Sequence, residues 1–479
     1  MCKIIAVQLL YQIGVSTDCR KVIGAVKMKM LTYPRGKFEN DDIDLKIIKK
    51  LINKHGEEVD RFTKLKKYYL GEHDILNKKR LENQPNYKPV CNHAKDISDT
   101  ATGYFIGNAI VYNDTNNNDL SALLEAFDLA EVDEKDHDNA INMSIYGVAY
   151  ELIYVCEGTN DLNIQELDVR NTFIVYDDSI EHRPLFAVYY NCFKDEETSE
   201  EYKDVYILTD MYKINVHIGS GKEKEINKVK HYLGDIPVIE YRNNKFCTGD
   251  FEQQIGLIDS YNSLMANRVN DKEQFINSLL IMYGAKLADD TDDAIRAMAL
   301  LREAGLLELP RESKAEYISQ TLEEESVETL KKALKDDIYT FSHVPNLTDE
   351  NFAGNSSGVA MEYKLLGLEM ITKTKQRYYT KGLKRRILMF ANYLGIQSIK
   401  LNINSIVPQF SRGLPKNILE ISQTISNLEG KVSTRQLISL LPFIEDPDAE
   451  IEALEKEKKE SEDRRMEFFS NSRVDEYEE

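Results

Sequence analysis

The stretch from Asp250 to Ile396 constrains this chain most, because it asks for three helices separated by an acidic insert and a polar loop. Apolar residues at Phe251, Ile255, Ile258, Tyr261, Met265, Val269, Ile276, Leu279 and Tyr283 recur mostly every three or four positions. That spacing predicts a helix over 251–283. The insert Gly284 to Glu325 follows, and helical spacing returns through Val327, Leu330, Leu334, Ile338 and Phe341. Then comes VPNLTDENFAGNSSG, rich in Asn, Asp, Ser and Gly, whose short polar side chains compete for backbone hydrogen bonds and favour turns. A third helix is expected from an N-cap at Ser356 or Ser357 to about Ile396. At 1.5 Å per residue the first and third helices would each span roughly 50–55 Å. Such a plan suits a scaffold that bridges a distance.

The remainder of the chain alternates between helical and strand patterning. Lys37 to Leu81 reads as helix, with Ile43, Ile47, Leu51, Phe62, Leu65 and Tyr69 on one side. Two prolines in ENQPNYKPVCN interrupt it, and Asn92 then starts a helix whose Ala94, Ser98, Ala101 and Gly103 suit close packing. A further helix carries Leu120, Leu123, Phe127, Ala140 and Met143. Beyond Gly147 the period becomes two, which predicts one antiparallel-rich β region over Tyr146 to Tyr241, packed on the preceding helices. The insert reads as a small α/β unit: a strand at AKL, a helix from Asp292 to Ala304, and strands at LLEL and EYISQ. Lys400 to Val407 alternates like a strand, and two short helices follow within Lys416 to Leu441. The class is therefore α+β. Residues 1–36 read as an N-terminal extension, with Met28 or Met30 as the working start.

Charge and motifs remove several functions. The formal charge is -20, whereas a protein that wraps nucleic acid needs a basic surface. Cys2, Cys19, Cys91, Cys156, Cys192 and Cys247 lie apart without CxxC spacing, so neither a disulfide frame nor a metal site is expected. No apolar run is long enough to span a membrane. IGSGKEKE (218–225) lacks the first glycine of a phosphate loop and has Glu223 where magnesium would need Ser or Thr, so a hairpin turn is expected. HExxH is missing, and no cofactor is called for. In the third helix, Lys373, Lys375, Arg377, Lys381, Lys384, Arg385 and Arg386 follow one another with no acid between. Cations near a C-terminus complement the helix dipole, and Lys373, Lys375 and Arg377 are alternatively candidates for phosphate contact. The acidic tail beyond residue 459 is expected to be partly disordered.

Four segments carry a resemblance. LGDIPVIEYRNNKFCTGDFEQQIGLIDSYNSLMANRVNDKEQF (233–275) and VPNLTDENFAGNSSGVAMEYKLLGLE (344–369) resemble the siphophage-type portal proteins of tailed bacteriophages. NHAKDISDTATGYFIGNAIVY (92–112) and FSRGLPKNILEISQTISNLEGKVSTRQLISLLPFIEDPDAE (410–450) are similar in kind. The resemblance implies a head-to-tail connector: a homo-oligomeric ring of about twelve subunits at one capsid vertex. Double-stranded DNA would pass through it without tight binding, driven by a terminase, and capsid, scaffolding and adaptor proteins would be its other partners. It would be a virion component assembled in the host cytoplasm. The implied parts are a wing (37–249 and 397–413), stem helices (250–283 and 326–342), a clip (284–325), a tunnel loop (343–357), a tunnel helix (358–396) and a crown (414–459). Asn346, Asp349, Asn351, Phe352, Asn355, Ser356 and Ser357 would face the channel from the loop. Asp289, Asp290, Asp292, Asp293, Arg296 and Arg302 would dock the terminase from the clip. Two other classes compete: a scaffold without a channel, and a nucleotide-using motor, which the missing phosphate loop disfavours.

Overall fold

In the computed structural model, the described residues are 30–38, 43–80, 84–194, 201–219, 223–276, 279–283, 324–347, 358–396, 398–413 and 418–441. Residues 314–318 and parts of 290–296 and 444–461 are described as well. The chain divides into two compact units, Met1–Ala353 with Tyr363–Arg412, and Gly354–Glu362 with Gly413–Glu479.

In the first unit, strand β1 (Leu31–Thr32) precedes helix α1 (Leu45–Tyr69), which Asp44 caps by accepting from the Lys46 amide at 2.9 Å. The helix stops at Tyr69 instead of running to Leu81, because Gly71 takes a left-handed φ of 85° and turns the chain. Asn92 caps α2 (His93–Phe105) as expected, accepting from the Lys95 amide at 3.0 Å. Strand β2 (Val111–Asp114) leads to α3 (Ser121–Leu129) and α4 (Val132–Tyr146), two helices broken at Glu131, whose φ is 52°. Gly147 ends α4 with a φ of 83°, and a Cβ there would sit 2.2 Å from the Cys247 carbonyl oxygen, so only glycine fits.

The expected single β region is two sheets. Strands β3 (Val148–Val155), β4 (Leu162–Leu167) and the later β10 (Val238–Arg242) form one, in the antiparallel order β10-β3-β4. Strands β5 (Thr172–Tyr176), β6 (Pro184–Lys194), β7 (Glu201–Leu208), β8 (Tyr212–Ile218) and β9 (Glu223–Lys230) form a meander, with β1 added in parallel beside β5. The expected extension 1–36 therefore already belongs to the fold from Leu31, since Leu31 and Thr32 pair with Val175 and Tyr176. The hairpin reading of IGSGKEKE holds: Ile218 pairs with Glu223 across β8 and β9. One apolar cluster joins α1 to the six-stranded sheet through Ile48, Leu51, Phe173, Phe186 and Val216. Another surrounds the three-stranded sheet.

Inside the first cluster lies His55, 2% exposed, with Nε2 3.0 Å from the Val169 carbonyl and Nδ1 3.0 Å from the Tyr190 hydroxyl. Burial lowers its pKa to about 4, although the Val169 hydrogen bond raises it. The unfolded chain, with histidine near 6.5, binds this proton where the fold does not. The His55 contribution is thus complete above pH 6.5 and is lost as the pH falls from 6.5 to about 4, by roughly 3 kcal/mol in all. In urea titrations at pH 7.5 and 4.5, His55→Gln should show a smaller drop in midpoint than the parent. Equal drops would place the titrating group elsewhere.

Helix α5 (Ile255–Ile276) is shorter than expected. The apolar run Leu279–Tyr283 is strand β11, paired antiparallel with β12 (Lys314–Ile318), not the last turns of a helix. At 22 residues the helix measures about 33 Å. The expected strand at EYISQ is met by β12, while AKL and LLEL lie outside the described residues. Helices α6 (Glu324–Ser342) and α7 (Gly358–Ile396) agree with the spacing, and α7 is about 58 Å long at 39 residues. The strand expected over 400–407 is instead a 3-10 turn, Ile403–Ser405, followed by β13 (Ile406–Gln409), which pairs antiparallel with β2. In the second unit, α8 (Ile418–Leu428) and α9 (Thr434–Ile438) are the two expected short helices.

Candidate functional site: the long helix and its anchors

A helix as long as α7 holds its direction only if side chains fasten it along its length. Five attachments do so. Nearest its start, Glu369 accepts from Arg412 Nε at 2.8 Å and from the Tyr104 hydroxyl at 2.9 Å. Burial would raise this carboxyl, but those two donors outweigh it and hold Glu369 below the usual range. Lys375, only 3% exposed, forms an ion pair with Asp250 at the head of α5; Ser144 Oγ and Asn243 Nδ2 also donate to Asp250, at 2.6 and 2.9 Å.

At mid-helix, Gly382 lets Tyr241 of β10 lie against the backbone. A Cβ at that position would be 2.4 Å from Tyr241 Cε1. The Tyr241 ring stacks on Tyr379 with centroids 4.5 Å apart. One turn on, Arg386 is fully buried. Its Nη2 lies 2.7 Å from Asp136 of α4, and its Nε lies 2.9 Å from Glu151 of β3. Asn139, Tyr241 and Tyr379 donate further hydrogen bonds to the same two carboxylates, at 2.7, 3.2 and 2.6 Å. Burial alone would lower the Arg386 pKa; Asp136 and Glu151 beside it reverse that and raise it well above normal, so the charge is permanent. Beside it, Arg385 donates to Asp235 at 2.8 Å, and farther along Asn392 donates to the Leu233 carbonyl at 2.9 Å.

This geometry corrects one expectation. Lys375 cannot reach a phosphate, since its ammonium is enclosed against Asp250, and Arg385 and Arg386 are likewise committed to acids of the fold. Lys373 and Arg377 remain exposed; Lys373 lies 3.6 Å from Glu369. Sequence reading missed the difference, yet a signal was present. Lys375, Tyr379, Leu383, Arg386 and Phe390 recur at helical spacing, so two cations share the apolar face.

The preceding pair of helices is tied to the α1–α2 region. Asn262 and Asn270 of α5 accept from the Cys91 and Tyr87 amides at 2.8 and 2.7 Å, so the proline-broken segment runs along α5. Arg268 donates to Glu328 of α6 at 2.6 Å, and Tyr339 of α6 to Asp96 of α2 at 2.6 Å. His343, with φ 59°, ends α6, and Val344 is buried behind it. Of the expected loop residues, Asn346 is described and half-buried; Asp349, Asn351, Phe352, Asn355, Ser356 and Ser357 lie outside the described residues. In the insert, Asp290, Asp293 and Arg296 are exposed, with Asp293 and Arg296 3.7 Å apart; Asp289, Asp292 and Arg302 are outside the described residues.

Among the described residues no group of three or more His, Cys, Asp or Glu could hold a metal ion. No described helix is long and apolar enough to cross a membrane. The arrangement is mechanical: a long helix fastened along its length to α2, to α4 and to the three-stranded sheet.

The portal protein of Bacillus phage SPP1 is 22% identical over 468 residues, covering 89% of this chain and 91% of the relative. Two solved structures are similar at lower resemblance. The neck of an empty gene transfer agent particle, computed with C6 symmetry, has a TM-score of 0.44 and 12% identity, covering 72% of this chain and 89% of the other. The virion of a native gene transfer agent particle has a TM-score of 0.41 and 11% identity, with the same coverage. The family described as phage portal protein, SPP1 Gp6-like, matches residues 48–464, and the chain belongs to that family.

Proposed function

We propose that the chain is the portal vertex protein of a tailed phage, a closed ring whose channel admits and later releases double-stranded DNA. The observation that carries this reading is the family match over most of the chain, joined to the anchoring of α7. A conduit has to keep its wall rigid while DNA slides past. Lys375, Arg385 and Arg386 fix the long helix without offering their charges to phosphate. A net charge of -20 per copy repels phosphates, so the channel would let the duplex move instead of holding it.

In this reading 37–249 and 397–413 are the wing, α5 and α6 the stem, 284–325 the clip, 343–357 the tunnel loop and 414–459 the crown. Asn346, Asp349, Asn351, Phe352, Asn355, Ser356 and Ser357 would touch the duplex transiently and without reading its sequence. Asp289, Asp290, Asp292, Asp293, Arg296 and Arg302 would meet the terminase, and capsid and adaptor proteins would hold the wing and clip. The ring would work without chemistry of its own, as a virion component.

Negative-stain imaging and native mass spectrometry of the purified chain test the reading. Closed rings of about twelve copies with a central hole are expected. Monomers and dimers alone, across a range of salt and concentration, would exclude it.

A further inference from the structure

The outward face of α7 is built for cover. Tyr363, Leu366 and Met370 are 75%, 52% and 64% exposed, and Lys373, Arg377, Lys381 and Lys384 continue the same stripe, all exposed. At 100° per residue these seven positions fall within an arc of about 80° and run for about 32 Å. Arg377, Lys381 and Lys384 have no ionic partner among the described residues, unlike the buried cations of the same helix. Half of the stripe is therefore apolar and half cationic, on a chain whose net charge is -20.

A surface of matching character lies at the α3–α4 corner. Leu124 and Leu129 are 43% and 63% exposed, beside the exposed carboxylates of Glu125, Asp128, Glu131 and Asp133. One copy cannot bring the two together. Helix α3 leans on the buried side of α7, with the Phe127 and Phe390 ring centroids 4.9 Å apart. Phe390 points about 140° away from the middle of the stripe and lies six residues beyond Lys384. Pairing needs a second copy, in the head-to-tail manner that closes a ring.

We infer that the outward face of α7 is one half of the contact between neighbouring copies, seated on the α3–α4 corner of the next. The inference rests on the ring reading and adds to it the surfaces that meet. Moving DNA is the poorer occupant: phosphates would satisfy Arg377 and Lys381 but leave Tyr363, Leu366 and Met370 in water. A neighbour covers both halves permanently.

Charge exchange in the full-length chain tests this. In about 0.1 M salt, where screening is partial, Arg377→Glu with Lys381→Glu should lower the ring fraction by about tenfold at a fixed subunit concentration. Glu125→Lys with Asp128→Lys should do the same. Combining all four should restore rings to within about threefold of the parent. Thermal midpoints of the dissociated subunits, unchanged by these exposed substitutions, keep the result separate from misfolding. Rings at the parental level in both reversed proteins would overturn the inference while leaving the ring reading intact. So would failure of the combined protein to recover, or intact rings that bind a duplex more weakly. A parent that forms no ring at all would instead sink the reading on which the inference rests.

Discussion

Arg386→Met should destabilise the chain by about 3–5 kcal/mol, a large part of the roughly 5–15 kcal/mol that holds a typical domain together. Asp136 and Glu151 are 1% and 0% exposed and face one guanidinium between them. Removing it leaves two carboxylates enclosed with, among the described residues, only Asn139, Tyr241 and Tyr379 as neutral donors. Water cannot reach them to repay the lost hydration. The loss comes from the stranded acids, not from the arginine's own packing. The triple replacement Asp136→Asn, Glu151→Gln, Arg386→Met should therefore recover most of the stability. Urea midpoints of the three proteins decide the matter. A midpoint for Arg386→Met within about 0.5 kcal/mol of the parent, the range of ordinary surface changes, would show that the network holds nothing.

The same residues show what a sequence reveals and what it conceals. Helix α7 was legible because its apolar residues keep helical spacing over 39 residues, and Asn92 because a capping side chain is a local device. The family was legible through resemblance. Helical spacing already puts Lys375 and Arg386 on the apolar face of α7, but what receives Arg386 could not be read, since Asp136 and Glu151 are more than 200 residues away in the chain. Leu279–Tyr283 misled for a related reason. Five apolar residues fit either the end of a helix or a strand, and pairing with Lys314–Ile318 decides. The split of the β region into two sheets is equally non-local, because β10 returns across the meander to join β3.

Replacing Asn351, Phe352 and Gly354 with alanine should leave rings and proheads normal in number and appearance while impairing DNA packaging or retention. The expectation begins with local energetics. The segment 343–357 stands between two helices, α6 ending at Ser342 and α7 beginning at Gly358. His343 stops α6 by taking a left-handed φ of 59°, which costs a non-glycine residue energy. The residues that follow are poor helix formers, so sequence and flanking geometry oppose one continuous rod. Alanine at Gly354 alone favours helix by about 1 kcal/mol, and at Asn351 by a further few tenths, about 0.6. The flanks are already fastened by Tyr339 to Asp96 and by Glu369 to Arg412, so added helicity would shorten the polar segment without moving its supports. In the proposed ring each copy of this segment would reach toward the axis, and its shortening would widen the passage and remove the transient contacts that keep DNA from sliding back. Assembly depends on other surfaces and should persist. Packaged DNA length in particles built with the triple variant is the measurement: full-length genomes retained as in the parent would show that the segment only connects two helices.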